Sequence, residues 1–151
     1  MKHYIIDGNN LFHKIKKFEK LIKSENQNVR EKLSFMIENY FAEKNVLTTI
    51  YFDGFENLPI KLNKVKIIYS ENDSADNKIR SHIDSAKNKR NLVVISSDVK
   101  DIIRYAEKNG CTIIASEQFA KSLNNYTNRN VNDEKENSGI SVSEIKKMFD
   151  V

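Results

Sequence analysis

The stretch HYIIDGNNLF, residues 3–12, places a carboxylate where a folding argument alone would not. Tyr4, Ile5 and Ile6 read as a buried strand, and Asp7 arrives just as that apolar run stops. Gly8, Asn9 and Asn10 read as a turn, and LFHKI then resumes an apolar, helix-compatible pattern. An acid at that place is either an ordinary strand end or one wall of a site. The two readings separate on whether other strands send acids to the same edge.

Read outward from there, the chain alternates. Val29, Leu33, Met36, Ile37 and Tyr40 share one helical face over residues 29–43. VLTTIYFDG (46–54) is a β-branched and aromatic strand ending in Asp53-Gly54, and KVKIIYS (64–70) is another strand. Ala75, Ile79, Ile83 and Ala86 predict a helix from Ser74 to about Lys89. NLVVISSD (91–98) has the wholly apolar character of a strand covered on both faces. Residues 99–109 carry Val99, Ile102, Ile103 and Ala106 at helical spacing, and Gly110 terminates them. CTIIAS (111–116) is a last short strand and EQFAKSL a last short helix.

Strands alternating with helices predict an α/β fold with a mostly parallel sheet covered on both sides. Ligands of such sheets bind beyond the carboxyl ends of the strands. Asp7, Asp53 and Asp98 each end a strand there, and Asp76 opens the helix after residues 64–70. The acids converge on one edge.

Composition is consistent with this and adds little. The 151 residues suit one domain, 39% apolar and 30% charged. No apolar run approaches the roughly 18 residues of a membrane span. The N-terminus opens into strand-like sequence, so no secretory leader is expected and a cytoplasmic location is the default. The lone Cys111 excludes an internal disulfide and reads as a small apolar residue. A net charge of +4 is compatible with a polyanionic partner, and its densest basic run, Lys14, Lys16, Lys17, Lys20 and Lys23, reads equally as a phosphate-binding track or as solvated helix faces and turns. Residues 124–139, asparagine-rich and polar, predict a flexible loop. Ser141 and Glu144 have capping-box spacing, so residues 140–151 predict a short amphipathic helix, either docked on the domain or open to a partner.

Clustered carboxylates repel one another unless a cation relieves them. Asp oxygens without paired His or Cys ligands favour a hard ion, Mg2+ or Mn2+, over zinc. A hydrated ion of that kind supports phosphoryl chemistry. Each acid also has a plain structural reading: Asp98 as an N-cap, Asp76 as a dipole partner, Asp7-Gly8 and Asp53-Gly54 as turns.

Four motifs in order carry a resemblance. YIIDGNNLF resembles the opening motif of the NYN domain family, in its YacP-like branch of the PIN-like nuclease superfamily. IYFDG, ENDSADNKI (71–79) and VVISSD resemble that branch's second strand, acidic segment and later strand end. The resemblance spans residues 3–123 and implies a three-layer α/β/α, PIN-like fold with a central parallel sheet of about five strands. It implies a metal-dependent endoribonuclease, a hydrolase of RNA phosphodiesters. Asp7, Asp76 and Asp98 match the core acids and would be catalytic, ligating Mg2+ or Mn2+, with Asp101 as a further candidate ligand. Asn10 would support the site through hydrogen bonds, and Asp53 would be outer-sphere or structural. Lys14, Lys17 and Arg80 are the candidate RNA-backbone contacts. Asn9 stands where the family carries a tyrosine or similar residue, and the family's long basic tail is replaced by the polar loop and short helix, a place for a second copy or a protein partner.

Two other classes fit less well. A phospho-acceptor receiver wants paired acids at the first strand end and a late lysine, and a haloacid-dehalogenase phosphatase wants an acid at position 9. A PIN-like module that binds RNA or protein without turnover stays open, as does a toxin of the same fold.

Overall fold

Ile5 and Ile6 are both fully buried although neighbours on a strand face opposite sides of a sheet, so β1 (His3–Asp7) is covered from above and below. The computed structural model describes residues 1–24 and 26–138. β1 lies at the centre of a five-stranded sheet ordered β3-β2-β1-β4-β5. Its neighbours are β2 (Leu47–Phe52) and β4 (Leu92–Ile95), and the edges are β3 (Lys66–Tyr69) and β5 (Thr112–Ile114). All four pairings are parallel.

The period of two sorts the core. Ile6, Ile50, Phe52 and Ile95 pack against α1 (Gly8–Phe12), α2 (Glu19–Ser24), α3 (Asn26–Phe41) and α6 (Ser116–Ser138), through side chains such as Leu11, Leu21, Leu33 and Phe119. Ile5, Tyr51, Leu92 and Val94 pack on the other face against α4 (Ala75–Ser85) and α5 (Arg104–Lys108), through Ile79, Ile83 and Ala106. These layers are the expected α/β/α arrangement. Each fully buried Ile or Phe stabilises the fold by about 1.5–3 kcal/mol, so the two clusters hold the sheet between its helices.

The strand order decides against a receiver domain, whose doubly wound sheet runs 2-1-3-4-5 rather than 3-2-1-4-5. The chain leaves β1 toward β2 and β3 and then crosses to β4 on the other side. The switch between β1 and β4 opens a crevice at their carboxyl ends, where Asp7 and Asp98 sit.

Four expectations change. Gly8 begins α1 directly instead of forming a turn, and its φ is not positive. Its role is close approach: a Cβ there would meet the Phe52 ring at 2.6 Å and the Tyr51 carbonyl at 2.9 Å. Residues 16–24, read only as a basic run, contain a short 3-10 turn (Lys16–Phe18) and α2, pinned by buried Phe18 and Leu21. The helix expected over 99–109 divides into a π turn (Val99–Ile103) and α5, because the Asp98 carbonyl accepts from Ile103 at 2.9 Å, five residues on. The loop expected at 124–139 is helical through Ser138, as α6 continues. Phe119, Leu123 and Tyr126 fall on one side, and Tyr126 meets Tyr40 edge-on at 5.5 Å. Extending a helix already nucleated by packing costs far less than starting one, which carries α6 into polar sequence. The helix expected at 140–151 lies outside the described residues.

Candidate active site

The edge that gathers the acids is built by serines as much as by aspartates. Asp7 is 5% exposed, and its Oδ2 accepts a hydrogen bond from the Ser96 hydroxyl at 3.0 Å. The same Ser96 oxygen accepts from the Asp98 backbone N–H at 3.1 Å. One fully buried hydroxyl therefore joins the end of β1 to the end of β4. Burial first, then the negative charges of Asp76 and Asp53, together bring the Asp7 carboxyl up to about 7 against the opposing bonds from Ser96 and the Asn10 backbone.

Asp76, Asp98 and Asp101 are half-buried, and each offers an oxygen within 4.8 Å of the others. Asp76 stands in the first turn of α4, which is capped by Ser74 accepting from the Asn77 N–H at 3.1 Å. Asp98 caps the π turn, its Oδ1 accepting from the Asp101 N–H at 3.0 Å. The N-cap reading of Asp98 is thus correct, and it does not compete with the site. A carboxylate has about four lone-pair positions, and the cap uses one. Desolvation, then the charges of Asp98, Asp101 and Asp53, raise the Asp76 carboxyl, with Arg80 opposing. Arg80 Nη2 lies 3.9 Å from Asp101 Oδ1 and is a cationic counterweight to the cluster. The negative charge exceeds it.

Asn10 has a defined orientation. Its Oδ1 accepts from the Ser97 backbone N–H at 2.9 Å and from the Ser116 hydroxyl at 2.7 Å. A backbone N–H can only donate, so the atom facing it is the oxygen, and the amide flip is settled by the network. With both lone pairs engaged, Asn10 has only its NH2 to offer a ligand. That group suits an anion rather than a metal. Asn10→Asp keeps both acceptor contacts and removes the donor. It is expected to keep the wild-type fold, with circular dichroism as the check.

Asp53 serves structure first: its Oδ1 accepts from the Ala75 N–H at 2.9 Å and its own N–H donates to Asn9 Oδ1 at 3.0 Å. This fastens the start of α4, and hence Asp76, to β2 and to the opening motif. Lys14 pairs with Glu117 at 3.3 Å, and Glu117 in turn accepts from the Ser97 hydroxyl at 2.7 Å. Lys17 sits half-buried in the 3-10 turn. The structure thus brings Asp76, Asp98 and Asp101 within 4.8 Å, and couples Asp7 to Asp76 electrostatically. Ser96, Ser97, Ser116 and Glu117 were not singled out in the sequence. The only hint is a serine pair closing an otherwise apolar strand.

Sheet and acids together define an α/β domain that collects carboxylates at its carboxyl edge. The family model described as a YacP-like NYN domain matches residues 4–150, and the chain belongs to that family of nuclease domains. No curated protein sequence matches it. Among solved structures, a mutant form of Rae1 (YacP) from Bacillus subtilis aligns with a TM-score of 0.69 at 18% identity, covering 99% of this chain and 93% of that one. A second Rae1 (YacP) structure from Bacillus subtilis gives 0.71 at 17% identity, covering 92% and 84%. At these identities the likeness concerns the fold. Among the described residues, no helix is long and apolar enough to cross a membrane.

Proposed function

We propose that this chain is a metal-dependent ribonuclease that hydrolyses RNA phosphodiester bonds, its Mg2+ or Mn2+ held by Asp76, Asp98 and Asp101 with Asp7 coupled to them. The observation that carries this reading is the carboxylate cluster in a chain of a nuclease family. The donor set fits the ion. Oxygens bound to one Mg2+ at about 2.1 Å lie no more than ~4.2 Å apart, so a 4.8 Å spread needs about half an ångström of closure or a bridging water. When bound, the ion supplies charge neutralisation at the phosphate and a lower pKa for an attacking water.

The chain's own groups do the rest. Asp76, Asp98 and Asp101 would hold the ion that the reacting phosphate meets, and Ser96 keeps Asp7 and Asp98 in register. The Asn10 NH2 donates to a phosphate oxygen. Lys14, Lys17 and Arg80 hold the RNA backbone without reading sequence, so binding weakens steeply with salt. Lys14 exchanges Glu117 for phosphate when it does so.

End-labelled single-stranded and hairpin RNA, incubated with Mg2+, Mn2+ or EDTA, tests the proposal. Cleavage in either metal and none in EDTA is expected. RNA binding without cleavage in any condition would leave a binding module and overturn the nuclease reading.

A further inference from the structure

We infer that Phe55 is a stacking platform for one unpaired base of an RNA whose phosphate reaches the carboxylate cluster. The inference rests on the nuclease reading and deepens it. Phe55 is 56% exposed, two residues past Asp53 at the carboxyl end of β2. A ring left in water by a fraying loop would be unremarkable, and this loop is held from several directions. Arg30 Nη1 donates to the Phe55 carbonyl at 2.9 Å, and Arg30 Nη2 donates to the Asp53 carbonyl. The guanidinium is itself seated over the Tyr69 ring at 5.2 Å and the Phe52 ring at 5.6 Å. Between the two carbonyls, Gly54 takes a φ of +86°, its N–H donates to Ser70 Oγ at 3.0 Å, and its carbonyl accepts from Glu71 at 2.8 Å. The backbone on both sides of the ring is fixed, and the ring is displayed.

The place and the charges select the occupant. Asp53 joins this loop to the first turn of α4, where Asp76 stands. On the β4 side, Val99, the residue after Asp98, is 53% exposed, so apolar side chains flank the acids on both strands that bound them. Asp53 and Glu56 lie within two residues of Phe55 and the Glu71 N–H binds the Gly54 carbonyl, so the acids of this loop disfavour a phosphate, whereas a neutral base meets no such penalty. The arrangement suits a nucleotide whose phosphate goes to the acids' cation and whose base lies on the ring. A base paired inside a duplex is already stacked and has no face to offer.

The test uses a short single-stranded RNA with one fluorescent aminopurine base, read for binding and quenching, and a matched duplex, with wild type, Phe55→Ala, Phe55→Leu and Phe55→Trp. Wild type and Phe55→Trp are expected to bind the single strand and quench its base, and to favour it over the duplex. Phe55→Ala and Phe55→Leu are expected to lose the quenching and roughly 5- to 100-fold in affinity, with KM rising rather than kcat falling. Melting temperatures close to wild type would show that the ring, not the fold, was removed. Phe55→Ala that binds, quenches and cuts like wild type overturns the inference and leaves the nuclease reading intact. Ring-dependent quenching by a protein that never cuts keeps the stacking site and overturns the nuclease reading.

Discussion

In EDTA at neutral pH, Asp7→Asn is expected to melt above wild type, by up to about 4 kcal/mol or ~10 °C for a domain of this size. In Mg2+ or Mn2+ it is expected to cut RNA at least a hundredfold more slowly. Folding raises the Asp7 carboxyl from 3.8 to about 7, first through burial, so the folded state holds this proton more tightly than the unfolded chain. Stability associated with Asp7 is therefore fully present below pH 3.8 and is lost as the pH climbs to about 7. Asparagine has no proton to lose, and its carbonyl still accepts from Ser96. The difference in melting temperature between the two proteins should vanish near pH 4 and grow through pH 7, which thermal scans across that range measure directly. A variant that melts below wild type at pH 8 in EDTA would mean that the carboxylate is satisfied without a cation. A buried acid that destabilises its own fold and is relieved by a bound ion is the energetic mark of a functional site.

Asp98→Ser is expected to leave stability within about 1 kcal/mol of wild type and to lower kcat/KM by roughly a thousandfold or more, about 4 kcal/mol of transition-state stabilisation. Serine is as good an N-cap as aspartate, so the bond from the Asp101 N–H at 3.0 Å is replaced and the π turn keeps its start. What disappears is the carboxylate. Asp76→Asn, in the first turn of α4, should match it in activity. Thermal melts and cleavage kinetics side by side separate the two roles of Asp98. Near-normal cleavage by Asp98→Ser would assign the residue to capping alone.

The fold was legible because of what a parallel sheet demands. Strands covered on both faces are mostly apolar, so LVVI and YII announce themselves, and acids are held to their ends. They collect where the strands stop, which made Asp7, Asp53, Asp76 and Asp98 readable in order. The network under them was not readable. Asn10 reaches Ser97 and Ser116 across 87 and 106 residues, and no local pattern encodes such contacts. Gly8 looked like a turn residue because close approach to Phe52 and close passage through positive φ both ask for glycine. The run of lysines at 14–23 hid α2, since charge dominates the composition while Phe18, Leu21 and Ile22 anchor it. Phe55 was passed over for a related reason: a sequence does not distinguish a displayed ring from a buried one. Polar residues after 123 read as a loop because intrinsic propensity is weak beside the packing of Phe119 and Leu123 that starts α6.

The proposed chemistry depends on three carboxylates, Asp76, Asp98 and Asp101, acting together on one cation. Calorimetric titration of the protein with Mn2+, for wild type, Asp76→Asn, Asp98→Ser and, as a distant control, Asp84→Asn, tests that directly. Saturable binding in wild type and Asp84→Asn, weakened at least tenfold in Asp76→Asn and Asp98→Ser, is the predicted result. No binding by wild type, or equal binding by all four, would contradict it.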